Sequence, residues 1–365
     1  MPLSLGLTGL PNAGKSTIFN VLAQQPLALT ASYPFSTVDP NRVLVDVPDQ
    51  RLEVLGDLTG QKRRVKVKLE VVDIAGLVSG ASRGEGLGNQ FLDQTRHCDA
   101  LVHIVGCFGQ SGAMDATGIS RLQADLDIVN QELMLSDLIL LEGKAARLEQ
   151  EVKNDPSLKQ QLYVARSLKA DLESGVPVKQ STGAQEEAFR ALDRELRFIS
   201  LKPELILINL DEAYLADPTA QREILEAFAG SGQQVAALCA LLEEEIQDLS
   251  EDEQKEYRQA YNLQGTGLQR IVAQCFDLLG LVRFYTLGDA EVRAWAVSAN
   301  CRAVEGAGRI HTDFARGFIA AEVISYERLV EVGSEKNARA TGQLKVEGHN
   351  YTIRDGDVIR FRFNV

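Results

Sequence analysis

A chain of 365 residues with 45% hydrophobic content is longer than one typical domain, so two or three domains, each able to bury a core, are expected. No apolar run approaches the roughly 18 residues of a membrane span, and the N-terminus has no basic stretch ahead of an apolar one. The formal net charge of −13 disfavours indiscriminate attraction to nucleic-acid phosphates, and the whole points to a cytoplasmic protein with no membrane partner.

The first predicted element is a strand over the apolar run Leu3 to Leu7, and directly after it comes Gly9-Leu10-Pro11-Asn12-Ala13-Gly14-Lys15-Ser16. This is G-x-x-x-x-G-K-S, a phosphate-binding loop. Its glycines let backbone N–H groups turn inward around phosphate oxygens, Lys15 supplies a point charge to the β- and γ-phosphates, and the Ser16 hydroxyl is a ligand for Mg²⁺. A helix opening near Lys15 adds its positive end to the same anion. Asn12, Ala13, Gly14, Lys15, Ser16 and Thr17 are therefore candidate nucleotide-binding residues.

Next, Tyr33-Pro34-Phe35-Ser36-Thr37 offers the Thr37 hydroxyl in a loop, suited to reach the metal when a γ-phosphate is present. A strand-like run from Val65 to Val72 ends in Asp73-Ile74-Ala75-Gly76, which reads as D-x-x-G. Its carboxylate suits the Mg²⁺ water shell and the Gly76 N–H suits the γ-phosphate. Metal ligands are thus expected at Ser16, Thr37 and Asp73, and catalytic contributions from Lys15, Thr37 and Gly76. Many GTPases place a water-orienting Gln just after D-x-x-G, but here that position is Leu77. His97 and His103 sit at strand-like spacing and read as structural.

Strand and helix signals alternate over 1–118 and resume over 202–280, the pattern of a doubly wound sheet interrupted by an insert. Within the insert, Ile119, Leu122, Leu126, Val129 and Leu133 step by three and four, and Leu138, Leu141, Ala145, Leu148 and Val152 repeat the pattern after a five-residue slip. Such a seam is expected to bury itself against a partner helix. Asn154-Asp155-Pro156 breaks the run, and the returning series from Leu158 to Leu172, then Phe189 to Ile199, supplies that partner as an antiparallel arm.

The strand Glu204 to Ile208 leads into Asn209-Leu210-Asp211-Glu212, where guanine-specific proteins carry N-K-x-D. Leu210 stands for the Lys that covers the base and Glu212 for the Asp that reads the guanine edge, so guanine selectivity is not expected. Asn209 also suits a helix cap. After a further strand, Gln233 to Leu238, a backbone N–H of Cys239-Ala240 is placed to contact the base edge. The run 243–256 carries eight acids against one Lys and reads as a solvated surface.

The tail is differently charged. From residue 281 onward there are 12 Arg and Lys against 11 Asp and Glu, compared with 26 against 40 before it. Arg283, Arg293, Arg309, Arg316, Arg360 and Arg362 are interleaved with Trp295, Phe314, Phe318, Phe361 and Phe363, a composition suited either to an RNA-facing surface or to a small aromatic core. Five cysteines without a C-x-x-C pair argue against a disulfide framework and structural zinc and read as small core residues.

The phosphate loop with its following Thr17, Tyr33-Pro34-Phe35, Asp73-Ile74-Ala75-Gly76-Leu77, Gly84-Glu85-Gly86-Leu87-Gly88-Asn89 and Asn209-Leu210-Asp211-Glu212 together resemble the YchF/Obg-like ATPase family. Glu291-Val292-Arg293-Ala294-Trp295, Ile310 to Phe318 and Asp355 through Val365 resemble that family's C-terminal TGS module. The resemblance implies an α/β protein: a P-loop domain over 1–118 and 202–280, an inserted antiparallel helical, coiled-coil arm over 119–201, and an α+β TGS domain over 281–365.

It further implies an ATP-preferring triphosphatase, with GTP weaker, Mg²⁺ as cofactor, ribosome or RNA as partner through the arm and TGS domain, and a monomeric state. P-loop proteins with an asparagine at the Asn12 position resemble potassium-stimulated relatives, so K⁺ is a further candidate. The family credits a histidine in the loop after the next strand with orienting water. Here no histidine occurs over 109–117, Asp115 lies near the aligned place, and Gly106 stands where the family commonly has an arginine. A slow ATPase and a nucleotide-gated binding module with little hydrolysis are both open, with a GTP-specific enzyme as a third alternative.

Overall fold

The computed structural model describes residues 3–24, 41–74, 87–108, 116–181, 187–215, 217–229, 233–247, 249–250, 252–254, 256 and 267–364. Thr37, Gly76, Leu77 and Asp115 lie outside these. The chain divides into two compact units, Met1–Val45 with Glu70–Ile271, and Asp46–Leu69 with Val272–Val365. Among the described residues no helix is long and apolar enough to cross a membrane. The five cysteines are buried and unpaired.

In chain order the first elements are β1 (Leu3–Thr8), α1 (Lys15–Gln24), β2 (Arg42–Asp46), α2 (Gln50–Thr59), β3 (Arg63–Val65), β4 (Lys68–Asp73), α3 (Leu87–His97), β5 (Ala100–Cys107) and α4 (Ala116–Glu151). They are followed by α5 (Lys159–Glu173), α6 (Glu187–Leu196), β6 (Glu204–Leu210), α7 (Glu212–Leu215), α8 (Pro218–Ala229), β7 (Gln234–Leu238) and α9 (Ala240–Gln247). The sheet of the first unit runs β2-β4-β1-β5-β6-β7, with β1, β5, β6 and β7 paired in parallel. Their near-continuous apolar residues match a sheet covered on both faces. The chain crosses over β1 on its way from β4 to β5, so the sheet's switch point lies beside β1, and ligands of such sheets bind at the carboxyl ends of the strands there.

The insert differs in one respect from the expected two-helix seam. α4 is continuous over 36 residues, but only its second half forms the arm. Leu141, Ala145 and Leu148 bury against Val164, Ala165, Leu168 and Leu172 of α5 and Phe189 and Leu192 of α6. The first half packs on the main sheet instead. Leu122 and Leu126 join Val105 and Ile208, while Val129 and Leu133 join Val72, Ile74 and Leu101. A sheet face serves an apolar helix stripe as well as another helix does.

The five-residue slip marks the change of partner. Asp137, wholly buried in that slip, accepts from Arg96 Nη1 at 2.9 Å, the Ile199 N–H at 3.0 Å, and both the N–H and Oγ of Ser200 at 2.8 Å. It joins the end of α3, α4 and the chain returning from the arm, and its four hydrogen bonds offset the cost of burying a carboxylate.

The second unit contains a segment expected elsewhere. Residues 46–69 fall within the span 1–118 assigned by sequence to the nucleotide domain, yet they belong to this unit. The run Val65–Val72, read as one strand, is two: β3 ends at Val65 and β4 begins at Lys68. With β8 (Leu281–Leu287), β9 (Glu291–Ser298), β10 (Phe318–Ser325), β11 (Lys345–Glu347) and β12 (Asp357–Phe363), β3 forms a mixed sheet ordered β11-β10-β12-β8-β9-β3. Leu52 and Leu55 of α2 are buried with Tyr285, Val292, Ile324 and Val358. Asp49 caps α2 by accepting from the Leu52 N–H at 3.1 Å, and it accepts from the buried Tyr285 hydroxyl at 3.0 Å. Burial and the neighbouring carboxylate push that hydroxyl above the usual phenol range.

Part of the expected arginine and aromatic surface is internal to this unit. Arg283 donates to the Pro48 carbonyl at 3.0 Å, and its guanidinium lies 4.3 Å from the centre of the Phe276 ring. Phe318 and Phe361 are core residues with Phe284 and Ile359. Phe363 remains 40% exposed, stacked on Phe314 with ring centres 3.7 Å apart.

Candidate nucleotide site

Five strand ends of the first unit converge on one edge of its sheet: the loop after β1, Asp73 closing β4, Cys107 closing β5, Asn209 near the end of β6, and Cys239-Ala240 after β7. The loop after β1 turns through left-handed backbone at Asn12 (φ 64°) and Gly14 (φ 92°). Asparagine tolerates that region better than most residues. At Gly14 the requirement is also spatial, because a Cβ there would lie 2.0 Å from Asn209 Nδ2.

Lys15 is folded back over the loop. Its ammonium donates to the Gly9 carbonyl at 3.0 Å and the Leu10 carbonyl at 2.8 Å, and burial lowers its pKa while the charge of Asp73 opposes that shift. Asp73 is the mirror case: burial raises its pKa and Lys15 opposes it. Each charge makes the other tolerable in a partly desolvated site. Ser16 is exposed and Thr17 half-buried in the first turn of α1, where N–H groups and the helix dipole favour an anion. Ser16 and Asp73 supply hard oxygen donors, fitting Mg²⁺, which takes one or two protein ligands and completes its shell with phosphate and water.

The base-side residues are arranged differently from the sequence expectation. Asn209 donates from Nδ2 to the Ala13 carbonyl at 3.1 Å and accepts at Oδ1 from the Ala240 N–H at 3.0 Å. It is a buried strut between the phosphate loop and the start of α9, closer to the cap role than to a base reader. Of the two N–H groups of Cys239-Ala240 expected at the base edge, that of Ala240 is therefore already engaged. Leu210 is also displaced from its expected role: at 1% exposure it is packed with Cys107, Ile208 and Tyr214, so it covers no base. Glu212 is exposed at the first position of α7, and Cys239 is buried with Leu242 and Ile246.

Three side chains were not singled out as site residues by sequence. A cavity of about 380 Å³ adjoins the phosphate loop, lined by Asn12, Ala13, Gly106, Phe108, Arg121 and Asp125 among others. Phe108 is 46% exposed, and a Cβ on Gly14 would lie 3.7 Å from its Cζ. Its signal was available, as an aromatic directly after a buried strand. Arg121 and Asp125 gave none, because they alternate with the apolar seam of α4 as any solvated pair would. His103 is structural as read, buried with Nδ1 3.0 Å from Glu204 Oε1.

Comparison with known proteins agrees with this architecture. Residues 4–142 match a family model described as 50S ribosome-binding GTPase. Residues 281–364 match the C-terminal family model of YchF-type GTPases, described as a protein of unknown function. The chain is 38% identical to the ribosome-binding ATPase YchF of Bacillus subtilis and 37% identical to that of Escherichia coli O157:H7, in each case over the whole of both chains. The YchF GTPase of Schizosaccharomyces pombe superposes with a TM-score of 0.85 at 29% identity, covering 99% of this chain and 97% of that one. A GTP-binding protein from Pyrococcus horikoshii shares the fold with a TM-score of 0.63 at 17% identity, covering 99% of this chain and 100% of that one. With its phosphate loop, its acidic strand end and its C-terminal unit all accounted for at full length, the chain belongs to the YchF family.

Proposed function

We propose that this protein is an ATP-preferring nucleoside triphosphatase that hydrolyses ATP slowly to ADP and acts on the ribosome as a cytoplasmic monomer. The observation that carries the reading is the pairing of a preformed phosphate cradle with a base side lacking guanine-reading groups: Lys15 and Asn209 fix the loop, while Leu210 is core. Backbone N–H groups of residues 12–17 bind the phosphate chain, and Lys15 exchanges its carbonyl partners for phosphate oxygens. Ser16, Asp73 and Thr37 would hold Mg²⁺, which neutralises charge developing on the phosphates. Gly76 would add a backbone donor at the γ-phosphate. Asn12, exposed with its left-handed backbone, offers a side-chain oxygen to K⁺ beside the phosphates. Relatives named ribosome-binding ATPases support the partner, and the arm and a TGS-type C-terminal unit are the parts assigned to ribosome or RNA contact.

Leu77 and Asp115 favour a second reading, in which occupancy alone sets the conformation. A leucine cannot orient water, and an anionic aspartate repels the γ-phosphate. Steady-state hydrolysis of ATP and GTP, with and without ribosomes and in potassium or sodium buffer, separates the two. The proposal expects slow ATP turnover exceeding GTP turnover, raised by ribosomes and by potassium. No turnover with ribosomes in either buffer supports the gated module, and equal rates in the two buffers remove K⁺ from the account.

A further inference from the structure

We infer that Arg121 is an internal cation for the terminal phosphate of the bound nucleotide, reaching it from α4 across the cavity beside the phosphate loop. This rests on the proposed nucleotide reading. Arg121 is the cationic residue among those lining the cavity, where it shares the wall with Asn12 and Ala13 of the loop. Among the described residues it is held in no ion pair or hydrogen bond, so its guanidinium is available to an incoming anion.

Its position is fixed by the helix that carries it. The neighbouring Leu122, and Leu126 one turn on, are buried against β5 and β6. That packing locks the register of α4 and keeps the 121 and 125 positions on the cavity. The strand opposite contributes no side chain of its own: Gly106 lies against Phe108 and Ala13, and a Cβ there would lie 2.7 Å from Phe108 Cε2 and 3.1 Å from Ala13 Cα. A long side chain at 106 would have to displace Phe108, whereas Arg121 reaches the cavity wall from α4.

The chemistry suits a phosphate. Lys15 serves the phosphates as a point charge, and a planar guanidinium presents paired donors to phosphate oxygens that a lysine cannot reproduce. Arginines placed at this stage of phosphoryl transfer stabilise charge that grows on the γ-phosphate oxygens. Asp125, one helical turn away on the same wall, sets the opposing charge against which Arg121 acts, and no ion pair between the two is formed in the described structure.

The test is calorimetric titration of ADP and of a non-hydrolysable ATP analogue onto the full-length protein, its Arg121→Ala and Arg121→Lys variants, and Lys15→Ala, with single-turnover ATP hydrolysis measured alongside. Arg121→Ala should weaken the ATP analogue about tenfold, as expected for loss of a charge-assisted hydrogen bond, and leave ADP affinity unchanged. Hydrolysis should fall about 10- to 100-fold, below the range of arginine fingers supplied by partners. Arg121→Lys should restore analogue binding better than turnover. Unchanged affinity and rate in Arg121→Ala, or an equal loss for ADP and the ATP analogue, overturns the inference while leaving the nucleotide site standing. A parent protein that binds neither nucleotide, or whose affinity survives Lys15→Ala, overturns the site itself and the inference with it.

Discussion

The phosphate loop and the segment 46–69 lie within the first seventy residues, and they are held in opposite ways. The loop closes on itself: Lys15 returns to carbonyls five and six positions earlier, and its turns come from residues with the required backbone freedom. Segment 46–69 closes on the far end of the chain, with Asp49 bonded to Tyr285 across 236 positions and β3 paired to β9. The first can be recognised wherever its eight residues occur. The second has meaning only once the C-terminal sheet exists, and in the sequence it lies between Thr37 and Asp73, two residues proposed to hold the metal.

The largest expected effect separates the two regions outright. Lys15→Ala should abolish binding of either triphosphate, lowering affinity by more than about 100-fold, because it removes the loop's own cation from the β- and γ-phosphates. It should leave the thermal stability of the second unit unchanged. Calorimetric titration together with a melting curve reads both, and retained affinity would refute the loop assignment.

A smaller effect probes what the loop lacks. It supplies charge and donors, but nothing evident in the sequence orients the attacking water. ATP turnover should therefore be about 10- to 100-fold slower than in relatives that keep a histidine after the β5 strand, the lower part of the range for positioned acid–base groups. Asp115→His should recover part of the difference, with Met114→His and Ala116→His as neighbouring placements. Turnover equal to such relatives, with none of the three changes raising it, would mean another residue positions the water.

The converse perturbation falls on the other region. Asp49→Ala removes the α2 cap and leaves the buried Tyr285 hydroxyl without its acceptor, together costing about 2–4 kcal/mol. Tyr285→Phe keeps the cap and should cost about 1–2 kcal/mol. Denaturant unfolding followed by the C-terminal Trp295 measures both, and equal costs would show that the cap contributes nothing.

Legibility followed the same division. Strand β1, the phosphate loop and the start of α1 were readable because their local structure depends on neighbours in sequence. The α4 seam was readable as a helix, but its partner was not, since Leu122 and Leu148 follow one pattern and bury against a sheet and a helix respectively. Asn209 is expected from sequence at the base, yet its two bonds to Ala13 and Ala240 make it a strut, a role that needs three strand ends in register. Leu210 differs because the alternation of β6 turns it to the core. Phe108 and Arg121 share a wall only through the packing of α4 on β5.

The cradle is expected to bind a triphosphate while the base side declines guanine, and competition between nucleotides at one site measures this. Titration of ATP and GTP into the Mg²⁺-containing protein should give ATP the tighter binding by about 1–2 kcal/mol, the scale of one altered base-edge contact. GTP binding tenfold more tightly than ATP would contradict the account.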